Sequence, residues 1–168
     1  MVTTLKPPAA RIHPPAVIPP RGGVVLAGTP GDTYEIGITS EMTGGACMVM
    51  HTTIAPGGGP PLHVHHAEDE WFYVIEGTMR FWVGGRVFDA HAGTFVFGPR
   101  EVAHTWRNCS GEKVLMLVGM TPGKLEQFFR DFAALNADGS VPPNAELVRR
   151  ILDLAPQYAI DMLGDNPL

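Results

Sequence analysis

Between residues 33 and 120 no apolar run goes far before a glycine or proline cuts it. The runs are "TYEIGIT", "ACMVMHTTIA", "WFYVIEG", "TMRFWV", "RVFDA", "TFVFGP", "AHTWRN" and "VLMLVGM". Each is short and rich in β-branched or aromatic residues, and each is bounded by turn formers, which is the pattern of eight strands rather than of helices. The whole chain carries 20 glycines and 16 prolines in 168 residues, a density that suits many short strands joined by tight turns. "VGGR" between "TMRFW" and "VFDA" predicts a two-residue Gly-Gly hairpin, and "EGT" before it a second turn, so neighbouring strands run antiparallel. The expected class is all-β.

The flanks differ from this middle. Residues 1–30 hold prolines at positions 7, 8, 14, 15, 19 and 20, and read as an extended, polyproline-like arm that can reach a neighbouring subunit. Residues 31–120 are the strand-rich domain. From 121 to 168 the period becomes helical, within the same domain. Thr121 and Pro122 read as a cap and a first helical residue, followed by the apolar stripe Leu125, Phe128, Phe129, Phe132 and Leu135. After "VPPN" a second stripe, Leu147, Val148, Ile151, Leu152 and Leu154, predicts another helix ending near Pro156. Both helices are expected to pack outside the sheets.

Charge and length exclude several roles. With a formal charge of −5 and no basic cluster longer than Arg149-Arg150, the chain has no footprint for a phosphate backbone, so nucleic acid is not an expected partner. No apolar run approaches the roughly 20 residues of a membrane-spanning helix, and the N-terminal prolines interrupt any leader-like stretch. Cys47 and Cys109, the only cysteines, show no metal or redox spacing, which fits a reduced, cytoplasmic setting.

Chemistry concentrates in "PPLHVHHAEDEWFYVIEG", residues 60–77, where three of seven histidines and four carboxylates interrupt the most aromatic segment. A buried imidazole or carboxylate costs several kcal/mol, about 2–7 for a neutral polar group, unless something pairs with it. His63 and His65 are two apart, so a strand directs both to one face, and a turn through "HAED" brings Glu70 onto the next strand. Two imidazoles and one carboxylate facing inward suit a divalent first-row metal. His66 breaks the alternation and reads as a solvated residue at the strand end; Glu68 and Asp69 read as a charged turn. His104, in "GTFVFGPREVAHTWRN", begins a strand and is the candidate fourth ligand. His13, His51 and His91 read as structural or solvated, and Arg80 and Arg107 as outward-facing.

These two stretches resemble the paired motifs of the cupin superfamily. In the first, Gly57, His63, His65, Glu70 and Gly77 stand at full motif spacing; in the second, Gly93, Pro99, His104 and Asn108 do. Fifteen residues separate Gly77 from Gly93, the compact spacer of small single-domain cupins. One position departs: Glu101 stands where the second motif has Gly, and a left-handed turn there costs a residue with a Cβ about 1 kcal/mol or more. The resemblance implies an antiparallel jelly-roll β-barrel with the Pro-rich arm and two C-terminal α-helices attached, and His63, His65, Glu70 and His104 as ligands of one divalent transition metal: iron, nickel, manganese, cobalt, copper or zinc. The wording is most similar to the quercetin dioxygenase-like bacterial cupins. That likeness implies an enzyme, a metal-dependent dioxygenase acting with dioxygen on an aromatic enol or dicarbonyl-type small molecule, with Glu70 as both ligand and general base. A metal-assisted isomerase, cyclase or lyase, and a non-catalytic small-molecule-binding cupin, stay open as alternatives. A homodimer is the expected assembly. The substrate pocket is expected to be lined by Met50, Thr52, Phe72, Val74, Phe95, Phe97 and Trp106, a mostly apolar wall suited to an aromatic or acyl ligand.

Overall fold

The computed structural model describes residues 13–29, 31–135 and 145–168. Of the expected arm, Pro7 and Pro8 fall outside the described residues, as does the "VPPN" stretch; so do the side chains of Leu147 and Val148.

Eleven strands are present among the described residues: β1 (Val24–Ala27), β2 (Thr33–Ile38), β3 (Met48–Ile54), β4 (Leu62–His65), β5 (Asp69–Glu76), β6 (Thr78–Val83), β7 (Arg86–His91), β8 (Phe95–Gly98), β9 (His104–Arg107), β10 (Val114–Thr121) and β11 (Ile160–Gly164). They form a six-stranded sheet in the order β1-β2-β3-β10-β5-β8 and a five-stranded sheet in the order β11-β4-β9-β6-β7. Every pairing is antiparallel, and the architecture is the jelly roll that the sequence implied.

Alternation sets the core. In β3, Met48, Met50, Thr52 and Ile54 are buried while Val49, His51 and Thr53 between them are half-buried; in β5, Glu70, Phe72 and Val74 point inward. Gly84 and Gly85 adopt the positive φ of the predicted hairpin turn and join Val83 to Arg86. Across that hairpin Arg80 and Asp89 form a bidentate ion pair, so Arg80 faces outward as expected.

Three expectations give way. The end of the arm is not polyproline-like: β1 pairs with β2, Val24 opposite Ile36. Thr121 closes β10 instead of capping a helix, and α1 runs Glu126–Leu135. The helices are not outside the sheets. Phe128, Phe129 and Phe132 of α1 and Ile151 of α2 (Ala145–Leu154) line the cavity that opens between the two sheets, so their stripes cover the barrel mouth. An apolar stripe dictates that a helix face be covered, not what covers it. After α2 a 3-10 turn, Ala155–Tyr158, leads into β11, which pairs with the histidine strand β4.

Candidate metal centre

β4 carries His63 and His65, β5 carries Glu70 second in the strand, and β9 opens with His104. His63 lies directly opposite His104 in the β4–β9 pair. Glu70 is opposite Gly98 of β8, which packs beside the His104 ring: a Cβ there would be in ordinary contact, 3.4 Å from Nδ1. Two strands of one sheet and one of the other thus bring four buried groups together, their ligand atoms all within 4.8 Å of one another.

Backbone carbonyls orient the rings. Nδ1 of His63 donates to the Pro61 carbonyl at 2.9 Å and Nδ1 of His104 to the Val102 carbonyl at 3.0 Å. A carbonyl can only accept, so each Nδ1 carries the proton and each Nε2 is left to face the centre. His104 Nε2 is 2.9 Å from Glu70 Oε2, and His65 Nε2 is 3.5 Å from the same oxygen. Neither ring nitrogen of His65 has a hydrogen-bond partner although both are buried. Leaving such a group unpaired costs about 1–3 kcal/mol, and a cation seated among the four groups would remove that cost for the Nε2 that faces it.

The electrostatics agree. Burial, then the neighbouring His104 and His65, push His63 down to about 3, which keeps it neutral and able to ligate. Burial pushes Glu70 up, but His104 and His65 outweigh it and hold the carboxyl below the usual range. Burial pulls His104 toward neutrality, and the Glu70 carboxylate reverses that, raising its proton affinity. Three imidazoles and one ionised carboxylate are a donor set for a divalent first-row metal, and the residues fit such an ion, whose binding would displace the proton that Glu70 favours on His104.

The surrounding polar residues separate. His66 is exposed, as expected, and its ring bridges Glu101 Oε2 at 2.8 Å and Asp161 Oδ2 at 3.0 Å. Glu101 takes φ 64°, the left-handed conformation that the motif glycine would supply, and its N–H donates to the His65 carbonyl at 2.8 Å. Asp69, expected in a turn, instead opens β5 opposite Thr121, and its carboxylate is held by Arg100 at 2.8 Å. Glu68 is not part of a solvated turn: it is 2% exposed, and its Oε2 has no hydrogen-bond partner. Burial raises its pKa, opposed by His65, Lys124 and Arg100.

From the ligands a cavity of about 520 Å³ extends between the sheets. Of the seven expected lining residues, Met50, Thr52 and Trp106 line it. Phe72 and Val74 are fully buried but pack in the core away from the cavity. Phe95 and Phe97 point to the other face of β8, 74% and 59% exposed, because the inward positions of that strand belong to Val96 and Gly98. The wall that sequence reasoning missed comes from Tyr34 on β2, from Phe128, Phe129 and Phe132 on α1, and from Ile160 and Met162 on β11. Their signal was present as apolar periodicity, but no local pattern ties residues that far apart to one cavity.

Residues 50–120 match the family model described as a cupin domain. Over 97 residues the chain is 28% identical to the quercetin 2,3-dioxygenase of Bacillus subtilis, a stretch that covers 58% of this chain and 28% of that enzyme. Among solved structures, KdgF from a Halomonas species superposes with a TM-score of 0.55 at 16% identity, covering 62% of this chain and 92% of that one. An RmlC-like cupin from Shewanella frigidimarina superposes with a TM-score of 0.54 at 20% identity, covering 63% and 88%. At these identities the two superpositions speak for the fold alone.

Proposed function

We propose that the chain is a cupin, whose domain model its residues 50–120 match, and that it is a metal-dependent dioxygenase acting on an aromatic enol or dicarbonyl-type small molecule. His63, His65, Glu70 and His104 hold one divalent transition metal from the iron, nickel, manganese, cobalt, copper and zinc series. The observation that carries this reading is a buried carboxylate, Glu70, kept ionised among three imidazoles at a mostly apolar cavity. When bound, the metal supplies positive charge that polarises a substrate oxygen and, in its redox-active members, an electronic route to dioxygen. Glu70 accepts the proton of the substrate's enol hydroxyl, a step that needs a carboxylate already deprotonated and within reach. Met50 and Trp106 bound the apolar volume, and Phe128 and Phe132 of α1 close part of its wall against bulk water. Likeness to a quercetin 2,3-dioxygenase over part of its length supports the reaction class.

The two cysteines are free, in keeping with a reduced cytoplasmic setting, and no described helix is long and apolar enough to cross a membrane. The exposed Phe95 and Phe97 on edge strand β8 support a homodimer, which a monomeric mass in sedimentation would rule out.

The test is metal analysis followed by oxygen-electrode assays of metal-reconstituted protein with a flavonol and a β-diketone. Oxygen consumption is expected, and its loss in His63→Ala together with the bound metal. Turnover that proceeds without oxygen would instead select an isomerase, cyclase or lyase. Ligand binding without turnover would leave a binding protein.

A further inference from the structure

Tyr34 is the one residue with a phenol on the cavity wall, and nothing in the family-matched stretch, residues 50–120, contains it. The residue is 8% exposed and lines the cavity, and its hydroxyl, which has no hydrogen-bond partner among the described residues, is not one of the buried atoms sealed off from solvent. The ring itself is fixed. Gly28 packs on it so closely that a Cβ would lie 2.9 Å from Cζ, and Phe129 meets it edge-on with centroids 5.7 Å apart. Burial, with Asp32 and Glu70 nearby, holds the phenol proton on, which makes the group a hydrogen-bond donor at any ordinary pH.

The backbone of Tyr34 stands well away from that of Glu70, while its phenol reaches near enough to feel that carboxylate. β2 and Glu70's strand are separated in the sheet by β3 and β10, which places their backbones about 14 Å apart at roughly 4.8 Å per strand. Between them lie the side chains of Thr52, Met50 and Val118, offering no charge. No Lys or Arg is among the described residues that line the cavity, and its only carboxylates are Glu70 and Asp165. A ligand carrying an anionic group at its remote end would therefore be buried there with no counter-charge.

We propose that Tyr34 is the far anchor of the ligand, its hydroxyl hydrogen-bonding a neutral oxygen at the end remote from the metal ligands. The ligand class that follows is a two-ended, neutral aromatic enol: an enol oxygen for the metal end, an apolar body, and a distal hydroxyl or carbonyl for Tyr34. The anchor rests on the enol-binding reading given above. Tyr34 acts here as a specificity residue, because a site built around a buried donor discriminates against a ligand that leaves the donor unpaired.

The experiment uses metal-reconstituted protein without oxygen and follows binding of three probes by absorbance and fluorescence: 3-hydroxyflavone, 3,4′-dihydroxyflavone, and 3-hydroxyflavone bearing a 4′-carboxylate. Wild-type protein is expected to prefer 3,4′-dihydroxyflavone over 3-hydroxyflavone by about 3- to 10-fold, the worth of one net hydrogen bond, and to bind the carboxylate most weakly. Tyr34→Phe is expected to abolish the preference while metal content and thermal midpoint stay as they are, since the lost hydroxyl had no partner among the described residues. A preference that survives in Tyr34→Phe, or a carboxylate probe that binds as tightly as the others, overturns the anchor alone. If no flavonol binds wild-type protein that is fully metal-loaded, the enol reading falls and the anchor with it.

Discussion

Glu101 shows how a single residue can carry a strained conformation when its side chain is tied down. At φ 64° it takes a backbone conformation that costs an L-residue about 1 kcal/mol or more, and its carboxylate, joined by Asp161, grips the exposed ring of His66. Exposed pairs contribute at most about 1 kcal/mol, so the bond offsets the strain without exceeding it. Two substitutions separate the effects. Glu101→Ala and Glu101→Gly both remove the carboxylate, but only glycine relieves the backbone. Glu101→Gly is therefore expected to be more stable than Glu101→Ala by about 1 kcal/mol in urea denaturation, and equal midpoints would show that no strain resides there. The same residue marks a limit on reading from sequence. The clustering of His63, His65, Glu70 and His104 was legible because strand parity and motif spacing are local properties. That a glutamate could occupy the glycine's conformation was not, because its stabilising partners His66 and Asp161 are 35 and 60 positions away. Glu68 was misread for a related reason: a carboxylate beside Asp69 looks like a solvated turn until Lys124 and the histidine strand are placed over it.

At the scale of elements, β8 explains why the pocket was only half foreseen. Alternation divides "FVFG" into two faces but does not say which is inner, and ranking by hydrophobicity chooses the phenylalanines. The inner face instead takes Val96 and Gly98, the latter against the ring of His104. Phe95 then stacks with Tyr73 on the outside at 4.5 Å. β1 and β11 were missed because each is short and its partner, not its own composition, makes it a strand; β11 pairs with residues almost a hundred positions earlier. The β6–β7 hairpin, by contrast, was readable down to its Gly-Gly turn, and it supports a prediction about acid. Arg80 Nε donates to Asp89 Oδ1 at 2.7 Å and holds the Asp89 carboxyl below its ordinary value, with His91 adding slightly. A depressed folded-state pKa means that the pair stabilises the fold above the unfolded-state value near 3.8 and that this contribution is lost as pH falls below it. The stability difference between wild type and Asp89→Asn should accordingly be constant between pH 5 and 7 and shrink toward pH 3. A difference that persists unchanged at pH 3 would mean that the ion pair contributes nothing.

Across the whole molecule the four ligands join parts that otherwise meet only through packing. His63 and His65 sit on a strand held between β9 and the C-terminal β11, His104 on β9, and Glu70 in the opposite sheet beside β10. A bound cation consequently links both sheets and, through β11, the segment that carries the helical cap. The unfolded chain offers no such preformed cluster, so metal binding contributes directly to folding free energy. At a free metal concentration 100 times the dissociation constant the gain is about 2.7 kcal/mol. For a chain of this size each kcal/mol moves the thermal midpoint by about 2–4 °C, so metal-loaded protein should melt about 5–10 °C above chelator-treated protein. The rise should continue with the logarithm of metal concentration, because mass action sets it. His104→Ala removes one ligand and leaves the other three without their full geometry, so its midpoint should no longer respond to metal. Circular dichroism should still report the β-rich fold, since the barrel core of Phe72, Phe81, Met116 and Val118 does not depend on that imidazole. A chelator-insensitive midpoint in the wild type would separate the four buried groups from any role in holding the two sheets together, and the orphaned nitrogens of His65 would then have to be satisfied by water alone.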